Sequence, residues 1–349
     1  MATYQPLRVA GTRREIDSAT SIIFDVPEPL RQTFAWRPGQ HLNLRFELAG
    51  EELRRSYSIS SSPVEGPLRI TVKRVHGGRV SNHLNDHVGA GDTIEAMPPS
   101  GGFCLDPKAK ARRTHYFFGA GSGITPLFSM LTAVLAAEPH SYVNLLYGNQ
   151  KAKTIIFREA LAQLGKEYSD RLQVVHTLSK PSAWSSFDAW KGIVDRLAVE
   201  KFIEWHPPYA QDAHYYVCGP GGMNAAVKVA LMGLDVPPER IHMESYGGAI
   251  ESDTAVAGVA AQARIELDGE RIELEVPQGK TVLRALLDAG YQPPYSCEAG
   301  VCSTCRAQLS AGTVHLRARA ALEDTEIERG AILTCQAIPT ASRIALRYE

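Results

Sequence analysis

Residues 294–309 read PYSCEAGVCSTCRAQL, and residues 331–336 read AILTCQ. They hold four of the six cysteines in the chain: Cys297, Cys302, Cys305 and Cys335. The spacing C-x4-C-x2-C with a distant fourth cysteine is the ligand pattern of plant-type [2Fe–2S] clusters. A structural zinc site usually brings its ligands as two closely spaced pairs, and only one x2 pair is present here. The spacing therefore predicts a [2Fe–2S] site.

The composition limits what else these cysteines can do. The chain has 349 residues, of which 44% are hydrophobic and 21% are charged, so we expect two or three folded domains. The net charge is −1 without a basic run, which favours neither nucleic acid nor an anionic membrane as a partner. The first residues contain no apolar h-region, and no apolar stretch approaches the roughly 18 residues of a membrane span. We therefore expect a cytoplasmic protein, in which a disulfide is disfavoured.

Two different periodicities precede the cysteine loop. Up to about residue 106, alternating stretches such as HLNLRFEL (41–48) and LRITVKRV (68–75) are separated by Gly and Pro turns. This pattern predicts an antiparallel sheet or barrel. From THYFFGAG (114–121) onward, strand-like and helix-like stretches alternate four times. That alternation predicts a parallel sheet covered by helices.

The last part of the chain has a third pattern. Residues 249–263, AIESDTAVAGVAAQA, are rich in small residues and predict a linker. A hairpin with an Asp-Gly turn and a short helix closed by Gly290 then precede the cysteine loop. The predicted fold is multidomain: an antiparallel β-barrel at 1–108, an α/β domain with a parallel sheet at 109–247, a linker at 248–262 and an α+β domain at 263–349.

In the predicted barrel, RRSYSISSSP (54–63) contains residue types that suit a flavin nucleotide. Arg55 offers a cation for a pyrophosphate, Tyr57 an aromatic plane for the flavin ring, and Ser58 a hydroxyl for the ring edge. The alternative is a strand that exposes alternate serines.

Downstream, KRVHGGRVSNHL (73–84) combines a Gly-Gly turn with a helix start, where backbone N–H groups favour phosphate. The candidate residues are Gly78, Val80 and Ser81. A plain hairpin turn is the alternative for this stretch, which gains weight only together with the Arg55 motif.

The α/β segment carries two turns that suit a dinucleotide. GAGSGITPLFSM (119–130) follows a predicted strand and opens a helix, although Thr and Pro stand where the last glycine of G-x-G-x-x-G would fall. YYVCGPGGM (215–223) places a cysteine at a strand end, where open α/β sheets bind ligands, or where the thiol is simply packed. The candidate residues are Gly119, Gly121, Gly123, Thr125, Pro126, Cys218, Gly219 and Pro220.

In this order, the motifs and the cysteine set resemble the ferredoxin–NADP reductase superfamily, in its branch with a C-terminal plant-type ferredoxin domain. The resemblance covers nearly the full chain and implies an FAD-binding barrel, an NAD(P)-binding domain and a β-grasp [2Fe–2S] domain. It also implies that Arg55 binds the flavin diphosphate, Tyr57 stacks on the flavin ring, Ser58 approaches N5 and Cys218 lies beside the nicotinamide.

Two further segments are interpreted through the resemblance. Glu244 and Tyr246, in MESYGG (243–248), match an E-x-aromatic segment that lies near the flavin. Glu244 then relays a proton, unless it is simply an exposed glutamate. Ser179 and Lys180, in HTLSKP (176–181), stand where relatives that choose NADPH often carry Ser-Arg, which favours NADPH over NADH; a solvated loop lysine is the alternative.

The cofactor set indicates the function. NAD(P)H gives two electrons as hydride and a [2Fe–2S] cluster accepts one, so a flavin between them reconciles the two. The expected function is an NAD(P)H-dependent reductase that passes electrons to an oxygenase or hydroxylase component. The C-terminal segments are most similar to the reductases of phenylacetyl-CoA epoxidase systems, although HLRARAALED (315–324) departs from the form expected there. A reductase of a steroid or aromatic-ring hydroxylase or of hybrid-cluster protein, and a non-catalytic redox sensor, remain open.

Overall fold

The structure is a computed structural model that describes residues 4–64, 66–182, 187–245, 256–319, 321–322 and 324–348. The chain divides into two compact units, with the division between residues 246 and 247. Within the described ranges, no helix is both long and apolar enough to cross a membrane.

The first unit begins with an antiparallel sheet. Its strands are β1 (Gln5–Ile16), β2 (Ala19–Asp25), β3 (His41–Leu48), β4 (Glu51–Ser58), β5 (Arg69–Lys73) and β6 (Thr93–Ala96). They pair in the order β4-β3-β6-β1-β2-β5. A bridge between Ile59 and Ile70 joins the chain after β4 to β5, which closes the sheet into a barrel.

The alternation of side chains between the two faces of each strand determines which residues fill the barrel. On β1, Leu7 and Val9 are buried whereas their neighbour Arg8 is exposed, because successive side chains of a strand point to opposite faces. Helix α1 (Arg79–Asp86) adds Val80 and Leu84 to the same core. The barrel predicted from period-two patterning is confirmed.

The first unit continues with a parallel sheet. Its strands are β7 (Thr114–Ala120), β8 (Tyr142–Asn149), β9 (Leu172–Leu178), β10 (Trp190–Lys191), β11 (Ala213–Gly219) and β12 (Ile241–Ser245), and its helices are α2 (Ile124–Ala137), α3 (Arg158–Glu167), α4 (Arg196–Trp205) and α5 (Gly221–Gly233). The strand order is β10-β9-β8-β7-β11-β12. The order reverses between β7 and β11, which makes that gap the topological switch point where such sheets bind ligands.

Strand β7 shows why the strands of this sheet have continuous apolar sequences. Tyr116, Phe117 and Phe118 are all essentially inaccessible to solvent, because both faces of the sheet are covered. Phe117 packs into one hydrophobic core, and Tyr116 and Phe118 pack into the other.

A shared backbone acceptor connects the barrel to the parallel sheet. The carbonyl of Ser61, just beyond β4, accepts from Trp36 Nε1 at 3.1 Å and from Ser129 Oγ of α2 at 2.6 Å. The end of β4 is thereby held against the helix that follows the first glycine turn.

The second unit is a mixed sheet with a helix across it. Its elements are β13 (Ala261–Leu267), β14 (Glu270–Val276), α6 (Val282–Asp288), β15 (Arg306–Ala311), β16 (Val314–Leu316), α7 (Asp324–Glu328), β17 (Ala331–Leu333), β18 (Ala337–Pro339) and β19 (Arg343–Tyr348). The main order is β14-β13-β19-β15-β17, with β13 and β19 parallel, and β16 pairs with β18. This arrangement confirms the predicted α+β domain.

Two local predictions in this unit are informative. Asp268 and Gly269 have φ of +52° and +81°, which gives the predicted Asp-Gly hairpin between β13 and β14. Strand β13 begins at Ala261, inside the segment predicted as a linker, because Ala261 is buried and pairs with Val276. The start of this strand could not be predicted from the sequence, because its small residues show no hydrophobic periodicity.

Candidate functional site

The glycine turn after β7 and the end of β11 form the two sides of the switch point. Gly121 has a φ of +55°, a conformation that glycine adopts readily. A Cβ built on Gly123 would lie 2.0 Å from the carbonyl oxygen of Cys218. Only glycine therefore allows the turn to pack on β11, and two motifs far apart in sequence are in direct contact.

The other residues of the first glycine motif shape this turn from inside. A Cβ on Gly119 would lie 3.0 Å from Leu127 Cδ1. Thr125 donates its hydroxyl to the Ser122 carbonyl at 3.0 Å, and both Thr125 and Pro126 are buried in α2. The backbone N–H groups at the start of the helix are then the groups that can meet a phosphate.

Three of the predicted catalytic residues meet at this crevice. Cys218 of β11 and Glu244 of β12 are partners in the register of the sheet, with 4.0 Å between Sγ and Oε2. Ser58, at the end of β4, donates to the same Glu244 oxygen at 3.4 Å. Cys218 and Ser58 are both buried. The barrel and the parallel sheet thus contribute jointly to one polar cluster.

Asn224 holds the end of β12 and was missed by sequence reasoning. Gly219 and Pro220 turn the chain from β11 into α5, with Pro220 as the N-cap. In the first turn of that helix, Asn224 is buried and donates Nδ2 to the Glu244 carbonyl and to Ser245 Oγ, both at 2.9 Å. Its place directly after the C-G-P motif was the available signal, but its partners are known only from the fold.

Tyr57 and Arg55 lie beside Ser58 on β4. Tyr57 packs half-buried against the barrel core, and burial raises the pKa of its hydroxyl although the nearby Arg55 lowers it, so the hydroxyl stays protonated at neutral pH. Arg55 is exposed and donates Nη1 to the Arg54 carbonyl at 2.7 Å. Because side chains alternate along a strand, Arg55 and Tyr57 lie on one face of β4 and Ser58 on the other.

The predicted phosphate turn is the N-terminus of α1. Gly78 is the N-cap, and the hydroxyl of Ser81 accepts from the Val75 N–H at 3.1 Å and donates to the Gly78 carbonyl at 3.3 Å. Val80 points into the barrel core. The side chains of Val80 and Ser81 thus stabilise the turn, which leaves the backbone N–H groups of the first helical turn for a phosphate.

Lys73, at the end of β5, is a second residue that sequence reasoning missed. A Cβ built on Gly121 would lie 3.3 Å from Lys73 Nζ, which places the ammonium at the glycine turn. Burial lowers the pKa of Lys73, and among the described residues its ammonium has no hydrogen-bond or ion-pair partner. A half-buried cation without a protein counter-ion suits a phosphate of a bound nucleotide.

Two remaining predictions concern the edges of the site. Ser179 and Lys180 are exposed after β9, where their N–H groups donate to the carbonyls of Asn149 at 3.0 Å and Gln150 at 2.9 Å. They lie at the same carboxyl edge as the glycine turn, two strands away from it. Tyr246 lies outside the described residues.

In the second unit, the four predicted ligand cysteines converge as two pairs. Cys297 is hydrogen-bonded to Cys302, and Cys305 to Cys335. No three His, Cys, Asp or Glu side chains in the described ranges are arranged to hold a single metal ion. A zinc site needs four ligands around one point, whereas a [2Fe–2S] cluster needs two sulfurs on each of two irons. The paired arrangement fits the binuclear cluster.

Hydrogen-bond donors surround the sulfurs. The Ala299 N–H donates to Cys297 Sγ at 3.4 Å, and the Thr304 hydroxyl donates to Cys302 Sγ at 3.1 Å. Such donors stabilise the thiolates that metal binding requires and the charge of a cluster once bound.

Gly300 shows how tightly the loop wraps this site. It has a φ of +72°, and a Cβ there would lie 2.9 Å from the Ala318 carbonyl and 3.0 Å from Gln336 Cγ. Its N–H donates to Cys335, whose pKa is lowered chiefly by the hydrogen bond from Cys305, against the effect of burial. The donors, the paired sulfurs and the glycine cradle together fit a [2Fe–2S] cluster.

Three family models match successive parts of the chain. The oxidoreductase FAD-binding domain matches residues 10–104, the oxidoreductase NAD-binding domain matches 117–229, and the 2Fe-2S iron-sulfur cluster binding domain matches 265–340. The matches follow the order of the barrel, the parallel sheet and the cysteine-containing unit.

Relatives extend over the whole chain. One of the subunits of 1,2-phenylacetyl-CoA epoxidase from Escherichia coli K12 is 33% identical, over 100% of this chain and 99% of the relative. The ferredoxin reductase component of 3-ketosteroid-9-alpha-monooxygenase from Rhodococcus rhodochrous is 34% identical, over 98% and 96%. The solved structure of phthalate dioxygenase reductase superposes with a TM-score of 0.60 at 24% identity, over 99% of this chain and 98% of that one. That superposition shows a shared fold.

Proposed function

The chain belongs to the ferredoxin–NADP reductase superfamily, in its branch with a C-terminal [2Fe–2S] domain, and we propose that its electron acceptor is the oxygenase component of a phenylacetyl-CoA epoxidase system. Its relatives are reductase components of oxygenase systems, and the chain is an NAD(P)H oxidoreductase that uses FAD and a [2Fe–2S] cluster. The substrate class named for the acceptor, aromatic CoA esters, is part of the proposal.

The observation that supports this choice of acceptor is the match to the phenylacetyl-CoA epoxidase protein, which spans 100% of this chain and 99% of the relative. A ketosteroid monooxygenase is the second candidate, because its reductase component is as similar in sequence. The segment HLRARAALED (315–324) departs from the form expected in the reductases of phenylacetyl-CoA epoxidase systems, which keeps the second candidate open.

The residues divide the work by position. FAD, when bound, accepts hydride from NAD(P)H and releases electrons singly, as a one-electron cluster requires. Cys218 and Gly123, at the switch point between β7 and β11, determine the position of the nicotinamide ring. Ser58 supplies a hydroxyl there, and Glu244 holds or releases a proton at Oε2 beside that hydroxyl. Because Ser58 and Cys218 are buried, water is excluded from the group of polar side chains that they form with Glu244.

The nucleotide-binding assignments are part of the proposal, and the positions of the side chains support them. We assign the diphosphate of FAD to Arg55 and the N–H groups of α1, and the flavin ring to Tyr57. Lys73 and the glycine turn face the pyrophosphate of the dinucleotide. Ser179 and Lys180 are assigned to a ribose phosphate, which favours NADPH over NADH because a lysine can meet a phosphate as a point charge.

The remaining assignments complete the proposal. We assign the four cysteines as the ligands of the cluster, in the pairs described above. We propose domain boundaries at 108, 247 and 262, the last of which falls within the first residues of β13. A cytoplasmic location is part of the proposal, and it is supported by the free thiols of all six cysteines, as expected in a reducing compartment.

The test compares acceptors directly. Purified protein loaded with FAD, iron and sulfide is mixed with NADPH or NADH in a stopped-flow instrument, and flavin bleaching followed by cluster reduction is recorded. Reduced protein is then offered the oxygenase component of the epoxidase, that of the ketosteroid monooxygenase, and hybrid-cluster protein. The proposal expects the fastest electron transfer to the epoxidase component, and a preference for either other acceptor contradicts it. Absence of flavin bleaching with both nucleotides would contradict the reductase activity itself.

A further inference from the structure

We infer that the side-chain amide of Gln336 donates a hydrogen bond to the cluster ligand Cys335 and raises the reduction potential of the [2Fe–2S] centre. Gln336 is 6% exposed, and its Nε2 lies 3.4 Å from Cys335 Sγ and 2.8 Å from the carbonyl oxygen of Glu298. The amide thus lies between the fourth ligand and the loop that carries the first ligand. This inference rests on the proposed [2Fe–2S] site and deepens it.

The orientation of the amide follows from its second partner. The Glu298 carbonyl can only accept a hydrogen bond, so the amide atom 2.8 Å from it must be the nitrogen. The same nitrogen faces Cys335 Sγ, and an NH2 group has one hydrogen for each acceptor. The sulfur therefore faces a donor, because the flipped amide would set two acceptors against each other.

The packing leaves this amide little freedom. A Cβ at Gly300 would approach Gln336 Cγ to 3.0 Å, so the cluster loop passes directly over the side chain. The backbone of Gln336 is held separately, since its N–H donates to the Leu333 carbonyl at 2.8 Å and its carbonyl accepts from the Arg317 N–H at 3.1 Å. Replacing the side chain should therefore remove the donor without displacing the ligand next to it.

Charge determines the direction of the effect. Reduction adds one electron to the cluster, so its sulfurs carry more negative charge in the reduced form. A donor aimed at a ligand sulfur stabilises the reduced form more than the oxidised one, which raises the potential. In a buried site this difference is weakly screened by solvent.

A matched control is available on the neighbouring strand. Gln308 of β15 also donates its amide to a backbone carbonyl, that of Arg329, but it is not bonded to a ligand sulfur. Comparing Gln336→Met with Gln308→Met thus separates loss of an amide from loss of the donor to sulfur. Methionine keeps the length and approximate volume of glutamine and offers no donor.

The experiment is a spectroelectrochemical titration of the full chain loaded with FAD, iron and sulfide. In Gln336→Met, the equilibrium constant for cluster reduction should fall about threefold to tenfold, where tenfold corresponds to about 59 mV for a one-electron couple. The flavin potential, read in the same titration, should stay unchanged, and Gln308→Met should match the wild type. Iron content and the electron paramagnetic resonance spectrum of the reduced cluster establish that each protein is fully loaded.

A second variant covers the case in which methionine prevents loading. Gln336→Glu keeps the shape of the side chain but places an acceptor at the sulfur when ionised, so its cluster potential should lie below that of wild type at high pH and rise as the carboxyl is protonated. A wild-type potential in either fully loaded variant overturns the inference and leaves the proposed function intact. Failure of both variants to load also overturns it, because the amide would then serve loop assembly. A wild-type protein that binds no cluster would instead contradict the proposed function.

Discussion

Ser58 donates its hydroxyl to the carboxylate of Glu244 at 3.4 Å, although 186 positions separate the two residues in the chain. One lies at the end of a barrel strand and the other on the outermost strand of the parallel sheet. The contact joins the part of the chain assigned to FAD with the part assigned to the nicotinamide.

Glu244→Gln should therefore slow flavin reduction by NAD(P)H about 100-fold, within the usual range for loss of a proton-transferring group. The amide keeps the shape and an acceptor for Ser58 but cannot exchange a proton. Stopped-flow bleaching of the flavin measures the rate. Glu239→Gln, at an exposed glutamate shortly before β12, is the control and should keep the wild-type rate. A wild-type rate in Glu244→Gln would remove the proton role from the proposal.

Gly123→Ala should destabilise the first unit by about 1–3 kcal/mol, a typical cost of overpacking. The new Cβ would lie 2.0 Å from the Cys218 carbonyl, so the glycine turn or the end of β11 has to move. The KM for NAD(P)H should rise as well. Urea unfolding measures the stability, and Gly165→Ala in α3 is the control, because a Cβ there meets no atom within 4 Å. Equal stability of Gly123→Ala and wild type would contradict the close packing.

The motifs that could be predicted from the sequence are local ones. The cysteine spacing and the glycine turns depend on residues a few positions apart, so their chemistry is readable before the fold is known. The positions of Gly119 and Cys218 at the ends of strands also followed from the alternation of strands and helices. Glu244 was found only through the resemblance, since its partner Ser58 belongs to another sheet.

The residues that sequence reasoning missed act through tertiary contacts. Lys73 follows an ordinary strand pattern, and only the packing of barrel against parallel sheet brings it to Gly121. From the sequence, Asn224 is an ordinary helix residue, and its hydrogen bond to β12 is known only from the structure. Gln336 belongs to the AILTCQ motif, but its amide gains a role only when the loop around Glu298 folds over it.

Lys73→Met should raise the KM for NAD(P)H about tenfold, because a hydrogen bond to a charged group is worth roughly 1.5–3 kcal/mol. The increase should shrink as salt screens the wild-type interaction. Steady-state kinetics at several ionic strengths measure both effects. Lys166→Met, an exposed lysine in the last turn of α3, should behave as wild type. An unchanged KM in Lys73→Met would place the dinucleotide phosphates elsewhere.

The same lysine predicts a dependence of stability on pH. Burial lowers the pKa of Lys73 below its ordinary value of 10.5, so the folded protein releases this proton at a lower pH than the unfolded chain does. The free energy of unfolding should therefore increase as pH rises from the lowered pKa toward 10.5. Urea unfolding across that window should show the increase in wild type and its loss in Lys73→Met. A parallel pH profile in the two proteins contradicts the shift.

Glu138 should make the first unit sensitive to acid. Burial alone would raise the pKa of this carboxyl, but hydrogen bonds from His115, Ser141 and the Lys108 N–H lower it to about 2 from an ordinary value of 4.5. Its stabilising effect is therefore present above pH 4.5 and lost as pH falls from 4.5 toward 2. Glu138→Gln should cost about 3 kcal/mol at neutral pH and flatten the acid limb of the unfolding profile. Glu159→Gln, at an exposed position of α3, should keep both the stability and the acid limb of wild type.

Cys302→Ser should separate the two halves of the electron path. Cys302 is buried and hydrogen-bonded to Cys297, so serine in its place removes one of the two cysteine sulfurs of one iron. We expect flavin reduction by NAD(P)H to stay near the wild-type rate, since the flavin site lies in the other unit, while electron transfer to an oxygenase component falls at least 100-fold. Iron content, the spectrum of the reduced cluster and acceptor turnover measure these effects separately.

Cys104→Ser is the matched control, because burial raises the pKa of this half-buried thiol to about 11 and serine can make the same hydrogen bond to the Gly101 carbonyl. Undiminished acceptor turnover in Cys302→Ser would show that electrons leave the protein from the flavin and not from the cluster.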